Sequence, residues 1–261
     1  MAGASSNPDS TQYDRIGPEI STAEELPIAK NFDATVREKL GDICNLEVLD
    51  LACGDGAFAA RFLQWGAARV TGVDISQFMV EKALSTFQDP RKAPFSVADC
   101  TKPLDKGRGR FDLVTGIWLL NYAQNKDELL AMWSNISRHL KPGGRFLGVV
   151  PSYALLREDV FPLLESQSES ASGVYRFGGV SVQLLDRVEQ GYRMRSTFHY
   201  ATPVTIVEYM LHQNLHEECA LEAGLENFRW GASDSVDMKA VDPETTSCVP
   251  LFQFITATCP S

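Results

Sequence analysis

The chain is poor in the features that mark membrane, nucleic-acid-binding and disulfide-stapled proteins. It has no apolar run of about 18 residues, so no membrane-spanning helix is expected. It has no excess of base either: 24 Lys and Arg stand against 34 Asp and Glu, a formal charge of -10. An acidic chain repels phosphate backbones and anionic lipid surfaces. Its one short basic cluster (Lys102, Lys106, Arg108, Arg110) reads as a solvated turn. Neither a nucleic-acid nor a membrane partner is therefore expected. Six cysteines (Cys44, Cys53, Cys100, Cys219, Cys248, Cys259) show neither CxxC nor Cys/His ligand spacing. They read as buried thiols in a reducing, cytoplasmic compartment, without a disulfide frame or a metal site. Repeats and Pro-rich linkers are also missing. Met1–Ser10 has no basic end and no apolar stretch, so it does not read as a signal peptide.

What is there is a core. With 44% hydrophobic residues, 261 residues exclude wholesale disorder and fit one large domain or one domain with an insert. Residues 1–12 are small and polar and are expected to be disordered. Phe32, Val36, Leu40 and Ile43 keep helical spacing up to Gly41. Short apolar runs at 47–52, 69–74, 95–99, 111–115 and 145–150 read as strands. Between them lie helical stretches, one capped by Ser76 and one opened by an Asn125/Glu128 capping box. Five strands alternating with helices predict an α/β, doubly wound (Rossmann-like), mainly parallel sheet. After Pro151 the rhythm breaks. Residues 154–172 suggest a helix and a Ser/Glu-rich stretch, and 174–200 an antiparallel hairpin. A helical stretch is expected after Pro203, carrying Ile206, Tyr209, Met210, Ala220 and Leu221, and a last strand over 251–257. The division is a single domain over 13–261, with an acceptor-pocket insert at about 151–200.

Asp50-Leu-Ala-Cys-Gly-Asp-Gly56 lies where the first strand must turn into a helix. Gly54 and Gly56 permit backbone angles and a close approach that a Cβ would block. In such sheets ligands bind outside the carboxyl ends of the strands. Asp74 ends the second strand, where it can accept hydrogen bonds from ribose hydroxyls. Gly54-x-Gly56-x-x-Ala59 also satisfies the loose dinucleotide fingerprint, which leaves a nicotinamide-dependent oxidoreductase as one reading. Asp50 opposes it: a carboxylate before the glycines repels a pyrophosphate and attracts an ammonium group. Asp99, ending the third strand, suits an adenine amino group. An amino-acid head joined to adenosine is S-adenosylmethionine.

The runs Val48–Ala57, Gly72–Ser76, Ala98-Asp99, Phe111–Val114 and Leu140–Phe146 resemble those of the class I S-adenosylmethionine-dependent methyltransferases. Trp118–Ala123 and Tyr13-Asp14 are most similar to the small-molecule, toxoflavin methyltransferase-like branch. The family's first and last loop glycines are replaced here by Ala52 and Ala57. The resemblance implies a seven-stranded sheet with a reversed last strand. It also implies cofactor contacts from Tyr13, Asp50, Ala52, Gly54, Gly56, Asp74, Ile75, Met79, Asp99, Cys100 and the Gly116 carbonyl. The implied reaction is in-line transfer of a methyl group to N, O or S of a small molecule in secondary metabolism.

A general base is optional in such a displacement, because the sulfonium supplies the reactivity. Tyr13 closes over the cofactor or anchors its arm by packing. His199, on the hairpin, is a base or a solvent-facing residue. Tyr122 and Trp118 follow the fourth strand and either meet the acceptor or pack in the core. His212 and His216 sit at i, i+4, yet lack a third metal ligand and read as a solvated helix face. Arg193 and Arg195 read as a wet hairpin face. No Asp/Asn-Pro-Pro-Tyr motif follows the fourth strand, which disfavours amino-group methylation of nucleic acid. Another reading is a cofactor binder repurposed as a cyclase, isomerase or non-catalytic partner. A monomer or a homodimer is expected.

Overall fold

The computed structural model describes residues 11–20, 29–87, 89–153, 175–177, 180–199, 202–232 and 252–261. The stretch expected to be helical and Ser/Glu-rich at 154–172, the polar tail up to residue 10, Tyr200 and Cys248 lie outside them.

The alternating pattern produces a seven-stranded sheet. Strands β1 (Glu47–Leu51), β2 (Arg69–Asp74), β3 (Phe95–Val97), β4 (Phe111–Ile117) and β5 (Leu140–Pro151) run parallel. Strands β10 (Glu226–Ala232) and β11 (Phe252–Thr258) complete the order β10-β11-β5-β4-β1-β2-β3, with β11 antiparallel to both neighbours. The reversed last strand and the doubly wound sheet are as expected. Alternate residues of each strand feed opposite cores, as a pleat requires. Val48 and Leu113 join one layer with Val36 and Leu40 of α2 (Ala29–Leu40), Phe62 of α3 (Ala57–Gln64) and Val80 of α4 (Gln77–Thr86). Leu49 and Val114 join the other, with Trp133 and Ile136 of α5 (Lys126–His139) and Leu215 and Cys219 of α6 (Gln213–Glu222).

The caps are legible in the bonds. Ser76 Oγ accepts from Met79 N–H at 3.2 Å. Asn125 Oδ1 accepts from Glu128 N–H at 3.0 Å, while the return bond to the Glu128 carboxylate comes from Gln124 N–H at 3.0 Å, one residue earlier than the usual box.

A second sheet is antiparallel, in the order β6 (Tyr175–Phe177), β7 (Val180–Val188), β8 (Gly191–Phe198), β9 (Val204–Leu211). Here one expectation fails. Residues 204–211 form a strand, not a helix, and the helix begins at Gln213. Val204-Thr-Ile-Val207 is β-branched throughout, which favours a strand, and β8 supplies the ladder. The second sheet therefore extends past residue 200, to Leu211. Gly191 sits at the tight end of β8, where an added Cβ would lie 2.2 Å from the Met210 carbonyl oxygen. Gly191→Ala is accordingly expected to destabilise the protein by about 2–3 kcal/mol through backbone displacement, measured by denaturant unfolding.

Cysteine burial follows expectation at Cys53, Cys100 and Cys219, but Cys44 is exposed and Cys259 partly so. The basic cluster is also placed. Arg110 pairs with Glu47 at 3.2 Å, at the start of β1 and just before β4, at the amino ends of the strands.

Candidate active site

Asp50 closes β1 and is buried. Its Oδ1 accepts from Thr115 Oγ1–H at 2.7 Å, whereas its Oδ2 is buried without a hydrogen-bond partner among the described residues. Burial pushes the carboxyl up to about 7, against the smaller opposing effect of the Thr115 bond. A buried oxygen left without a donor costs free energy unless something supplies one. An ammonium group would.

The loop after Asp50 is shaped by left-handed residues. Ala52, Gly54 and Gly56 have φ of 58°, 55° and 83°. A Cβ on Gly54 would meet nothing within 4 Å, so this side of the loop is open, whereas one on Gly56 would lie 2.8 Å from Phe87. Alanine in this region is strained by about 1–2 kcal/mol, and glycine's greater unfolded-state freedom offsets part of that. Ala52→Gly is therefore expected to raise stability by up to about 1 kcal/mol, read from thermal unfolding.

Asp74 holds the loop from the neighbouring strand. Its Oδ2 accepts from Gly54 N–H at 2.8 Å and its Oδ1 from Ser76 N–H at 2.9 Å. Burial raises its carboxyl and these amides lower it, with a net upward shift. One carboxylate thus joins the glycine loop to the start of α4. Ile75 is half-buried and Met79 buried beside it. Asp99 Oδ1 accepts from Thr101 N–H and Oγ–H at 2.8 and 2.7 Å, leaving Oδ2 without a partner among the described residues. The Cys100 thiol, pushed up to about 12 by burial, is a neutral wall. Gly116 lies buried in β4 opposite Gly148 of β5.

The N-terminal helix α1 (Tyr13–Ile20) ties this site to the second sheet. Asp14 Oδ1 accepts from Ser76 Oγ–H at 2.6 Å and Phe78 N–H at 3.2 Å, so it adds a carboxylate to the start of α4. Gln12, expected in the polar tail, is instead buried. Its amide donates to Val207 O at 2.8 Å and accepts from Val207 N–H at 2.7 Å, as an added strand residue would. Between these anchors the Tyr13 and Tyr122 hydroxyls share a short hydrogen bond. Burial, then the neighbouring Tyr13, raises the Tyr122 phenol well above its ordinary range.

Tyr13, Tyr122, Asp50 and Asp74 are thus gathered around the strand ends. His199 is exposed at the end of β8, where its Nε2 meets Ser181 Oγ. Trp118 has φ 62° and stacks on Phe32 at 5.8 Å, with Phe252 edge-on at 6.2 Å, a packing position. His216 departs from its solvated-face reading. It is buried between Tyr153 and Trp230, and burial lowers it to about 3. His212 is exposed, and no group of metal-binding side chains occurs among the described residues. Arg193 faces Asp186 at 3.6 Å and Arg195 bonds Gln183, consistent with a wet face.

Four residues escaped the sequence reading in these roles: Gln12, Asp14, Asn121 and Glu208. Glu208 Oε1 accepts from Ser196 Oγ–H and Oε2 from Asn121 Nδ2–H at 2.9 Å. The available signal was a single acid within the apolar run 204–211.

Comparison with known proteins bears on the fold and on residues 48–144. Residues 48–144 match the family described as a methyltransferase domain. An S-adenosylmethionine-dependent methyltransferase from Clostridium acetobutylicum superposes with a TM-score of 0.63 at 19% identity, over 96% of this chain and 100% of that one. The chain thus shares the fold of solved S-adenosylmethionine-dependent methyltransferases, and its residues 48–144 match a methyltransferase domain. At the level of individual relatives, an mRNA cap guanine-N(7) methyltransferase of Cryptococcus neoformans is 26% identical over 196 residues, 69% of this chain and 31% of that protein. A demethylmenaquinone methyltransferase of Lactococcus lactis is 28% identical over 156 residues, 58% of each chain. The chain thus spans less than two thirds of the length of these relatives.

Proposed function

We propose that the chain methylates a nucleophilic N, O or S of a small molecule, a specialised metabolite, held between the carboxyl ends of β1 and β4 and the second sheet. The observation that carries this reading is the partnerless, buried Oδ2 of Asp50 beside the open flank of Gly54. It suits the ammonium end of S-adenosylmethionine and opposes a pyrophosphate, and with it a nicotinamide cofactor. The Gly116 carbonyl would add a second acceptor for that ammonium. Asp74 would take the ribose hydroxyls, Ile75 and Met79 would flank the adenine, and Asp99 and the Cys100 backbone would meet its polar edge. Ala52, Gly54 and Gly56 would give the methionine end close backbone approach.

When bound, the cofactor supplies an electrophilic methyl on a sulfonium. The work left to the protein is to align the acceptor and exclude water, and orientation of that kind is worth roughly 7–11 kcal/mol. Tyr13 and Tyr122 are the residues to do it. Their hydroxyl pair lies between the anchors of α1, and a neutral phenol there orients an acceptor by hydrogen bonding without competing as a nucleophile. His199, exposed, is the weaker candidate for a base.

A small acceptor is favoured over capped RNA by the charge of -10 and by the placing of Arg110 at the amino ends of the strands. The relatives carry both kinds of name. Incubation with methyl-tritiated S-adenosylmethionine and either a metabolite extract or capped RNA decides between them. Label is expected in the low-mass fraction. Label in RNA alone would overturn the small-molecule reading, and label in neither fraction would favour the repurposed binder.

A further inference from the structure

The inner face of the second sheet is apolar, with Val182, Met194 and Met210 buried in the same core as the parallel strands. Glu208 lies on this face, in alternation with Ile206 and Met210, and is 5% exposed. No cation pairs with it among the described residues, and burial shifts its carboxyl upward, with Ser196 and Asn121 opposing. A carboxylate set among apolar side chains costs several kcal/mol unless a partner compensates it. A scaffold could hold the same strand with glutamine or valine. Each Glu208 oxygen accepts one bond and keeps room for another.

The second observation concerns Asn121, 3% exposed in the short turn Leu120–Tyr122 that follows β4. Its Nδ2 is spent on Glu208, while its Oδ1 is buried and unpartnered. Among the described residues one buried acceptor, Asn121 Oδ1, thus lacks a donor, and the neighbouring Glu208, able to carry charge, has one donor on each oxygen and room for another. They stand next to Tyr122 and the Tyr13 hydroxyl, and hydroxyls can adapt to either role.

We propose that Glu208 and Asn121 recognise the methyl acceptor, and that the acceptor presents there a planar nitrogen group with two N–H donors, amidine-like and cationic. Glu208 takes one N–H through its carboxylate and Asn121 Oδ1 takes the other. Both are specificity-determining residues, not catalytic ones. The proposal rests on the methyl-transfer reading for the position of the reacting atom, but the recognition itself needs only these side chains.

The test is calorimetry with benzamidinium as probe, and with benzoate and benzyl alcohol as controls, on protein with and without S-adenosylhomocysteine. Benzamidinium is expected to bind and the controls not. Glu208→Gln, which keeps one acceptor oxygen, replaces the other with an amide donor and removes the charge, is expected to weaken the probe at least tenfold. Asn121→Ala is expected to weaken it severalfold, with S-adenosylhomocysteine affinity retained in both variants. Melting temperature adds a readout: removing an uncompensated charge should leave Glu208→Gln at least as stable as the parent at pH 8. Equal binding of benzoate, no benzamidinium binding, or an unchanged probe affinity in Glu208→Gln would overturn the proposal. So would a Glu208→Gln variant that melts lower than the parent together with an Asn121→Ala variant that keeps full probe affinity, because the pair would then be scaffold. Benzamidinium binding without any S-adenosylhomocysteine binding would instead count against the methyl-transfer reading and leave this one standing.

Discussion

Asp50→Asn is expected to weaken S-adenosylhomocysteine binding by about 10- to 150-fold while making the unliganded protein more stable. A hydrogen bond to a charged partner contributes about 1.5–3 kcal/mol, and asparagine keeps the Thr115 contact but not the charge. The stability gain follows from the raised carboxyl. Its ordinary value is 3.8 and in the fold it stands at about 7. Between those values the folded chain holds a proton that the unfolded chain has lost, so this group's contribution falls as pH rises through that window. A rise of that size corresponds to a destabilisation of roughly 4 kcal/mol above pH 7. Asparagine removes it but leaves an unpaired amide hydrogen, which returns about 1–3 kcal/mol. The net expectation is a gain of about 1–3 kcal/mol at pH 8, read from urea unfolding, and little gain at pH 4. A variant that lost both stability and binding would show Asp50 to be a structural cap.

The second large effect is expected at Asp74. Asp74→Ala leaves the Gly54 and Ser76 amides without their acceptor, one in the loop and one at the start of α4. Each unsatisfied buried amide costs about 1–3 kcal/mol, so a loss of roughly 2–5 kcal/mol is expected at neutral pH. Cofactor affinity should fall by about two orders of magnitude as the loop loosens and the ribose acceptor disappears. Asp74→Asn should be milder, retaining one acceptor oxygen. If Asp74→Ala left S-adenosylhomocysteine binding intact, the ribose role would be wrong even with the stability loss confirmed. The two aspartates are thus separable by sign: Asp50→Asn is expected to stabilise the unliganded protein, and Asp74→Ala, which removes the acceptor of two amides, to destabilise it.

The contrast explains what the sequence could convey. The parallel strands were readable because burial on both faces writes them as continuous apolar runs, such as Phe146-Leu-Gly-Val-Val150. Asp50 and Asp74 stood out because acids at strand ends are conspicuous. Strand β9 was misread because Ile206, Tyr209 and Met210 also fit helical spacing, and only pairing with β8 decides between the periods. His216 looked solvated because Tyr153 and Trp230, which bury it, are distant in sequence. The same applies to Gln12 and Val207, 195 residues apart, and to Asn121 and Glu208, 87 apart. Local periodicity reports which face is buried, not which polar atom meets which.

Calorimetric titration of the purified chain with S-adenosylhomocysteine, run at pH 6 and pH 8 in two buffers of different ionisation heat, tests the central claim most directly. The Asp50 carboxyl near 7 must ionise to hold an ammonium group. The expected result is micromolar binding, about -8 kcal/mol, tighter at pH 8 than at pH 6, with proton release at pH 6. Tight binding of NAD in place of S-adenosylhomocysteine, or affinity that does not change with pH, would contradict it.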